Sequence, residues 1–471
     1  MHNEQYISPF SARYASAEMS RLFSPWFKAV LFRKLWIALA IAQKNAGLCV
    51  TSSQIAQMQA HLETIDFDRI RMYEKRFRHD VMAHIHAFGE QCPEAKSIIH
   101  WGATSSYVTD NSDLIQLKTA LELLLQKMVH VLQKIEHLAK EHAKDPCLSY
   151  THFQPAQPTT IGKRFCLWLQ DFLYDAKDWS RLIQEMPFLG LKGATGTQSS
   201  FLLLLNGNQE KVLQMEQEIA SFFRFSKCLR IAGQTYTRKV DMQVLHSIAS
   251  FAASAHKFGT DLRLLAHEGE MGEPFGKEQV GSSAMPYKRN PIYSERICGL
   301  ARFAISLSQN PVYTGATQWL ERSLDDSSNR RLSIPEAFLC ADTILGTMLY
   351  ILSDLQIDKK RAFEKVHEYL PTLCMENILM ESVKRGADRQ LIHEELRSIA
   401  FESKNSFESL ISAIEKKRIF CLTKSDIEHL CDVKHLIGRA PSQVLDFLHT
   451  ELEPFLRQHP VENISISSVE I

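Results

Sequence analysis

Apolar residues in the first third of the chain recur at alternating intervals of three and four residues, over more than three heptads. They are Leu114, Leu117, Leu121, Leu124, Met128, Val131, Ile135 and Leu138. This is the a/d spacing of helices that pack along a narrow seam. It predicts one helix over 113–144, about 48 Å long at 1.5 Å per residue, with Asp110 or Asn111 as its N-cap and Asp145-Pro146 as its end.

Two later segments show the same helical pattern. One seam consists of Val244, Ile248, Phe251, Ala255, Phe258, Leu262 and Leu265. Another long helix is predicted over 336–353, and strand-like alternation is rare and short. We therefore expect an all-α fold built on a long-helix bundle. Long helices with narrow seams also favour oligomerisation; the alternative, a monomeric helical-repeat protein, would show a 30–50-residue repeat that the sequence lacks.

The chain of 471 residues predicts about three domains. The segment 1–104 mixes helices with polar turns and is expected to be an N-terminal helical domain. The long helices occupy a central domain over 105–358. Shorter amphipathic helices, interrupted by glycines and prolines, predict a C-terminal helical domain over 359–471.

Charge and cysteine content exclude several classes of protein. The chain has 54 Lys and Arg and 54 Asp and Glu, so its formal net charge is zero. Nucleic-acid binders and polybasic membrane-surface proteins need a basic excess. The sequence shows no signal-peptide pattern and no window of about 18 apolar residues. The ten cysteines contain no CxxC pair, and scattered cysteines are typical of reduced core residues. We expect a cytoplasmic protein without membrane or nucleic-acid partners.

Four polar segments lie outside the helical seams. The first is Arg78-His79-Asp80, preceded by a basic run that can bind phosphate or carboxylate or can form a solvated face. His84 and His86 follow it, but two such side chains diverge on a helix, which disfavours a metal site. The second segment is HWGATS, residues 100–105, which predicts either an anion site before a helix or an ordinary loop and cap.

The third segment is a loop over 151–160, held open by two prolines, in which Thr159 or Thr160 can cap the next helix. It carries His152. Histidine as a residue type suits acid–base chemistry near neutral pH, although one of nineteen histidines need not be catalytic. The fourth is GSSAMPYKRNP, residues 281–291. Its flanking glycines and internal prolines favour a hinged loop that closes over a substrate. A serine near a lysine suits deprotonation chemistry, yet a Gly/Ser turn with a solvated lysine is an equal alternative.

The fourth segment resembles the GSSxMPxKxNP signature of the fumarate-releasing lyases, and its Tyr-Lys-Arg-Asn version resembles the adenylosuccinate lyase family. Other segments agree in order along most of the chain: SARYAS, RHDVMAHIHAFG, HWGATSSYVTDN, THFQPAQPTTIGKR, KGATGTQ, GQTYTRKVD and ERSLDDSSNRR. The resemblance implies three mostly helical domains whose central bundle forms the core of a homotetramer, with each active site shared between subunits. It implies neither a metal nor an organic cofactor.

The resemblance also implies the reaction, a β-elimination of fumarate from adenylosuccinate, which gives AMP. The second substrate implied is succinylaminoimidazole-carboxamide ribotide, which gives aminoimidazole-carboxamide ribotide. The alternatives are another fumarate-releasing lyase, such as argininosuccinate lyase, and a structural protein that has lost the chemistry. The intact serine and histidine segments disfavour the second alternative, because loss of chemistry would leave these residues free to change.

Roles for single residues follow from the resemblance alone. Ser282 is expected to be the general base and His152 the general acid, with Lys288 and Asn290 stabilising the anionic intermediate. His79 would position the substrate, and Glu295 would orient a histidine or loop group. Further substrate contacts are expected at Arg13, Tyr14, Arg78, Asp80, Thr104, Ser105, Thr151, Gln234, Arg296, Arg322, Ser327 and Arg331. Leu189 stands where the resemblance leads us to expect an arginine, which could alter a local ion pair.

Overall fold

The computed structural model describes residues 6–402 and 406–460. The chain begins with a π-helical turn, Phe10–Tyr14, and five helices: α1 (Ala17–Leu22), α2 (Pro25–Asn45), α3 (Ser52–Ala60), α4 (Phe67–Phe77) and α5 (Asp80–Gln91). The C-terminal part consists of α14 (Lys359–Leu373), α15 (Met375–Lys384), α16 (Arg389–Glu402), α17 (Phe407–Glu415), a 3₁₀ turn (Arg418–Phe420), α18 (Lys424–Leu430), α19 (Val433–Leu436), α20 (Ala440–Phe447), a π-helical turn (Leu448–Leu452) and α21 (Glu453–Gln458).

The long helices lie between these two parts, interrupted by short strands. In chain order the elements are α6 (Ser105–Glu141), β1 (Pro146–Thr151), β2 (Gln154–Thr160), α7 (Ile161–Glu185), α8 (Ser199–Leu204), α9 (Gln209–Phe222), α10 (Lys239–Glu268), β3 (Met271–Gly272), α11 (Ile292–Leu307), α12 (Gln309–Ala316), α13 (Asp325–Ser353) and β4 (Gln356–Ile357). The mostly helical fold expected from the sequence is confirmed. Strands β1 and β2 form one antiparallel hairpin, and β3 pairs antiparallel with β4.

Helices α6, α7, α10, α11 and α13 form the bundle. The seam of α10 is buried along its length, and all the seam residues of α6 are buried except Leu138, which is partly buried against the same core. Aromatic rings fill the space between α7 and α10, where Trp168 and Phe258 pack edge to face with their centroids 5.0 Å apart. Burial of the two predicted seams therefore holds the bundle together.

Helix α6 begins eight residues before the predicted start. Its N-cap is Thr104, and the expected caps Asp110 and Asn111 are buried inside the helix. Each is bound to another part of the chain: Asp110 to Arg238, and Asn111 to both the N–H and the carbonyl of Gly190. These side chains therefore act in tertiary contacts, and the predicted N-cap was wrong.

The apolar residues form one large core and smaller ones. The large core extends from the first helical turn through the bundle and includes α20 and α21. A separate core joins α15, α16, α17 and α18. The domain boundaries at 104/105 and 358/359 stay predictions. Helix α13 is long and apolar enough to cross a membrane, but 78% of its most apolar stretch is buried inside the protein.

The connections place two groups of segments at opposite ends of the bundle. The N-termini of α5, α6, α10 and α13 meet at one end, which we call the cavity end. The β1–β2 hairpin follows the C-terminus of α6, and residues 273–291, the signature loop, follow α10 and β3 at the other end, the loop end. Helix α6, with 37 residues, separates the two ends by about 55 Å at 1.5 Å per residue.

Candidate active site

A cavity of about 1260 Å³ opens at the cavity end of the bundle. It lies between the corner that joins α4 to α5 and the first turns of α6 and α13. Eight of the residues predicted from the sequence line it: Arg78, His79, Asp80, Ser105, Gln234, Arg322, Ser327 and Arg331. Thr104 is adjacent to this group as the N-cap of α6. Four distant segments of the chain thus converge on one cavity.

His79 is fixed by the turn in which it lies. Arg78 ends α4 in the left-handed conformation, with φ of 51°, and His79 caps the next helix. The N–H of Met82 donates to Nδ1 of His79 over 3.3 Å, so the neutral ring carries its proton on Nε2. That Nε2 lies 3.5 Å from the hydroxyl of Ser105. The ring therefore presents a donor to the cavity, which suits the positioning of a substrate oxygen.

Two buried arginines form the floor of the cavity with carboxylates from other helices. Arg238 donates to Asp110 over 2.8 Å and to Asp326 over 2.7 Å. Arg330 donates to Asp241 over 2.7 Å and pairs with Asp113 at 2.8 Å. A buried charge is tolerated when it is paired and hydrogen-bonded, so these bonds hold the N-termini of α6, α10 and α13 in register.

Asp113 stays ionised although it is largely buried, with 21% of its side chain exposed. Burial alone would raise its pKa, but the neighbouring Lys28 and Arg330 outweigh that effect and lower the pKa to about 2. His84 behaves in the opposite way, because burial lowers its pKa to about 4 and leaves the ring neutral. His84 packs edge to face on Phe32, while His86 packs on Phe77.

The lining of the cavity carries more positive than negative charge. Its basic side chains are Lys28, Arg71, Lys75, Arg78, Arg238, Arg322, Arg330 and Arg331. Its carboxylates are only Glu74, Asp80, Asp110 and Asp113 among the described residues. Such a surplus favours anionic ligands, since guanidinium groups bind phosphate and carboxylate through paired hydrogen bonds.

His152 lies at the loop end, at the tip of the β1–β2 hairpin. The turn consists of His152 and Phe153, both with positive φ, 54° and 56°, which is the backbone of a tight hairpin turn. The expected open loop is therefore a hairpin, and Thr160 caps α7 as predicted by accepting from the N–H of Lys163. Thr151 and His152 are both exposed, so the imidazole is free to meet a group outside this region of the chain.

The signature loop closes on itself around Ser282. The side chain of Asn290 donates to the carbonyl of Gly281 over 2.8 Å. The hydroxyl oxygen of Ser282 accepts from the N–H groups of Ala284 and Met285, at 3.3 and 3.1 Å. Hydrogen bonds from N–H donors stabilise an alkoxide, so the loop lowers the cost of deprotonating this serine.

The remaining predicted residues lie around the signature loop. Lys288 is exposed within the loop, and Glu295 is exposed in the first turn of α11. The guanidinium of Arg296 lies 5.2 Å from the centre of the Tyr14 ring, and that of Arg13 lies 5.8 Å from it. These residues form a second group at the beginning of α11, separate from the cavity.

Within one chain, the predicted site residues therefore lie at two opposite ends of the bundle. His79 and the phosphate-suited arginines lie at the cavity end, whereas His152 and Ser282 lie at the loop end. Lys28, Arg238 and Arg330 were not predicted from the sequence. Arg71 and Lys75 belong to the basic run before Arg78, which was predicted either to bind an anion or to form a solvated face. Arg238 and Arg330 do occur in two of the recognised segments, GQTYTRKVD and ERSLDDSSNRR. Their acidic partners are far away in the sequence, so only the fold reveals the network.

Comparison with known proteins decides the family. The family described as Lyase matches residues 32–305, and the one described as Adenylosuccinate lyase C-terminus matches residues 371–447. A protein named adenylosuccinate lyase from Saccharomyces cerevisiae is 43% identical over 477 residues, covering 98% of this chain and 99% of the relative. One from Schistosoma mansoni is 42% identical over 464 residues, covering 97% of each chain.

The chain belongs to the adenylosuccinate lyase family. The resemblance found in the sequence is thus confirmed over nearly the whole chain, and the protein is an enzyme of the lyase class.

Solved structures agree with an adenylosuccinate lyase in overall fold. A fumarate lyase from Mesorhizobium sp. BNC1 superposes with a TM-score of 0.80 at 21% identity, covering 93% of this chain and 99% of the other. A 3-carboxy-cis,cis-muconate lactonizing enzyme from Pseudomonas putida gives 0.81 at 21% identity, covering 93% and 98%. At this level of identity the likeness establishes the fold.

Leu189 departs from the arginine expected for this family, and its surroundings accommodate the change. The side chain is buried in the main core. Nearby, the carboxylate of Glu216 accepts from the N–H of Leu191 over 2.8 Å and from Lys192 over 2.7 Å. The buried carboxylate therefore has a cation without any help from position 189.

Proposed function

We propose that this protein is an adenylosuccinate lyase, which releases fumarate from adenylosuccinate and from succinylaminoimidazole-carboxamide ribotide by β-elimination. The observation that carries the proposal is the 43% identity to a named adenylosuccinate lyase along almost the full length of both chains. The excess of arginine and lysine in the cavity supports it, because both substrates carry a phosphate and two carboxylates.

In the proposed reaction, Ser282 takes the proton from the carbon next to a carboxylate of the succinyl group. The electron pair left behind is delocalised into that carboxylate, and Lys288 and Asn290 stabilise the resulting charge. The bond from carbon to nitrogen then breaks, and His152 gives a proton to the departing nitrogen. The two N–H groups that bind the Ser282 hydroxyl support the first step, since they stabilise its alkoxide.

The cavity would bind the nucleotide part of the substrate. Arg78, Arg322 and Arg331 line it and are suited to phosphate or carboxylate oxygens. The Nε2–H of His79 is directed near Ser105 and would hold a substrate oxygen. Glu295, in the first turn of α11, would orient a histidine supplied at the same site.

We also propose a homotetramer with active sites shared between subunits. His79 and Ser282 belong to one reaction, yet they lie at opposite ends of a bundle about 55 Å long. A neighbouring subunit that packs side by side in the opposite direction brings a loop end against a cavity end and allows a closed assembly. Exposed apolar residues on the bundle helices, Leu167, Tyr174, Leu264 and Phe303, support packing against further copies.

The function is tested by incubating the purified protein with adenylosuccinate and measuring fumarate and AMP. We expect equimolar release of both products, and release of fumarate from the ribotide substrate as well. Argininosuccinate serves as the matched control, because it also yields fumarate but has no phosphate for the cavity to bind. Turnover of argininosuccinate without turnover of adenylosuccinate would contradict the proposal.

A further inference from the structure

A buried ion pair lies at the base of the hairpin that carries His152, and the hairpin also packs against α14 and α19. Arg164, in the first turn of α7, donates to Glu270 over 3.0 Å. The side chain of Glu270 is 1% exposed and that of Arg164 is 13% exposed. Glu270 follows the end of α10 and directly precedes β3, and its carbonyl accepts from the N–H of Asp358. The pair therefore lies where the hairpin, α10 and the stem of the signature loop meet.

Arg164 also binds the backbone of the hairpin. Its second terminal nitrogen donates to the carbonyl of Leu148 over 2.5 Å. Leu148 is opposite Pro158 in the hairpin, and proline has no N–H to donate across the strands. A register irregularity follows between Leu148 and Tyr150. The guanidinium thus stabilises the hairpin at the point where its own ladder of hydrogen bonds is incomplete.

Further contacts connect this point to the tip of the hairpin. The hydroxyl of Tyr150 donates to the other carboxylate oxygen of Glu270, at 3.5 Å. The ring of Tyr150 packs on that of Phe153, with the centroids 5.5 Å apart. Phe153 forms the turn together with His152. A continuous set of contacts therefore leads from the end of α10 to the residue next to the proposed general acid.

We propose that Arg164 and Glu270 are positioning residues that hold His152 at the correct height and angle over the substrate, an inference that rests on the proposed function. Proton transfer requires the imidazole within hydrogen-bond distance of the departing nitrogen. His152 is exposed at the tip of a hairpin, so the base of that hairpin determines where the ring lies. A displacement of about 1 Å at a reacting group can lower the rate on the order of 10²-fold.

A second ion pair with similar burial provides a control that distinguishes an effect on the position of His152 from an effect on stability. Lys127 of α6 pairs with Asp342 of α13, with side chains 14% and 1% exposed. Removal of either cation leaves a buried carboxylate without its ion-pair partner, which destabilises the fold in both cases. The Lys127 pair lies between two bundle helices and does not contact the hairpin, so Lys127→Met is the matched control for Arg164→Met.

The experiment measures kcat, KM and thermal stability of the full-length protein with adenylosuccinate. For Arg164→Met we expect kcat to fall on the order of 10²-fold with KM within about threefold, because the substrate still binds but the acid is displaced. Lys127→Met should lose similar stability but keep kcat within about threefold. In Arg164→Lys an ammonium group replaces the planar guanidinium, which binds two acceptors at once, so kcat should fall about 10-fold. If Arg164→Met does not fold, Arg164→Lys tests the proposal instead.

A double variant tests whether the effect passes through His152. Added to His152→Ala, Arg164→Met should change kcat by less than about threefold, because residues that act as a unit are not additive. If kcat falls equally in Arg164→Met and Lys127→Met, or if the double variant shows the full product of both losses, the positioning role is wrong. Absence of wild-type turnover on adenylosuccinate would instead overturn the proposed function.

Discussion

Ser282, the proposed general base, has a hydroxyl whose ionisation is favoured by its own loop. Its oxygen accepts two backbone N–H bonds within the signature loop, and both favour the ionised form. We predict that Ser282→Ala lowers kcat by several orders of magnitude while adenylosuccinate still binds, since a general base acts mainly in the transition state. Steady-state kinetics and calorimetric binding of the same substrate measure the two effects separately.

Ser283 provides the control for this substitution. It is exposed and adjacent in the same loop, so Ser283→Ala makes the same chemical change beside the proposed base. We expect kcat of this variant within a few-fold of the wild-type value. A wild-type kcat in Ser282→Ala would remove Ser282 from the role of base.

Asp175 is a buried carboxylate for which pH and stability are linked. Burial raises its pKa from an ordinary 3.8 to about 6, and among the described residues one of its oxygens has no hydrogen-bond partner. The folded protein therefore binds this proton more tightly than the unfolded chain does. The resulting stability is complete below about pH 4 and is lost as the pH rises through about 6.

Asp175→Asn should consequently stabilise the protein at pH 7.5, by on the order of 2 kcal/mol, and by only about a third as much at pH 4.5. Asparagine still accepts from Ser250, which donates to Asp175 over 2.7 Å. Thermal unfolding at the two pH values measures the difference, and Asp171→Asn, on the same helix but less buried, serves as the control. A loss of stability at pH 7.5 would contradict a raised pKa for Asp175.

At the residue scale, the sequence predicts the proposed catalytic residues better than it predicts the buried ion pairs that hold the site in place. Ser282, His152 and His79 can be found because they lie in short recognisable segments. Arg238 lies in such a segment too, but its partner Asp110 is 128 positions away. No local pattern predicts that pairing, because it depends on how α6 and α10 come to lie side by side.

Among the elements, the long helices are predictable and their ends are not. The a/d spacing of apolar residues in α6 and α10 corresponds to the buried faces of these helices, so both helices could be predicted from the sequence. The start of α6 was missed because Asp110 and Asn111 look like caps to any local rule, although both make tertiary contacts. The hairpin was missed for a related reason, since β2 contains two prolines and prolines argue against a strand.

The signature loop makes a prediction at the scale of an element. A Cβ atom on Gly281 would lie 1.9 Å from the carbonyl oxygen of Lys288, a backbone atom across the loop. Gly281→Ala therefore forces the loop open and separates Ser282 from the groups around it. We expect kcat/KM to fall at least 10-fold with little change in thermal stability, because most of the loop is exposed.

Gly276→Ala is the control for that variant. A Cβ atom there meets Gln279 at 3.7 Å, an ordinary contact, so the same substitution in the same loop should preserve kcat/KM within about threefold. Equal losses in the two variants would show that the loop tolerates no added methyl group at either position, and that the Gly281 contact does not explain the loss.

For the whole molecule, a net charge of zero conceals a strongly uneven distribution. Eight basic side chains but only four carboxylates line the cavity among the described residues. Asp241 and Asp326, which pair with the two buried arginines but are not lining residues, offset part of that surplus. The loop end supplies the proposed base and acid, whereas the cavity described above lies at the other end. On the proposed roles, each end holds only part of the active site, and α6 keeps the two ends of one chain about 55 Å apart.

Mixing inactive variants tests this arrangement. His79→Ala damages only cavity ends and Ser282→Ala damages only loop ends, so neither homotetramer has an intact site. In tetramers mixed at random in equal amounts, about a quarter of the sites combine an intact cavity end with an intact loop end. We therefore expect recovery of about a quarter of wild-type kcat once the subunits have exchanged.

Mixing His79→Ala with Arg331→Ala should recover nothing, because both changes lie in the same cavity. If tagged subunits exchange and the first mixture stays inactive, sites shared between subunits are excluded, and one chain would have to bring its two ends together by a rearrangement of the bundle.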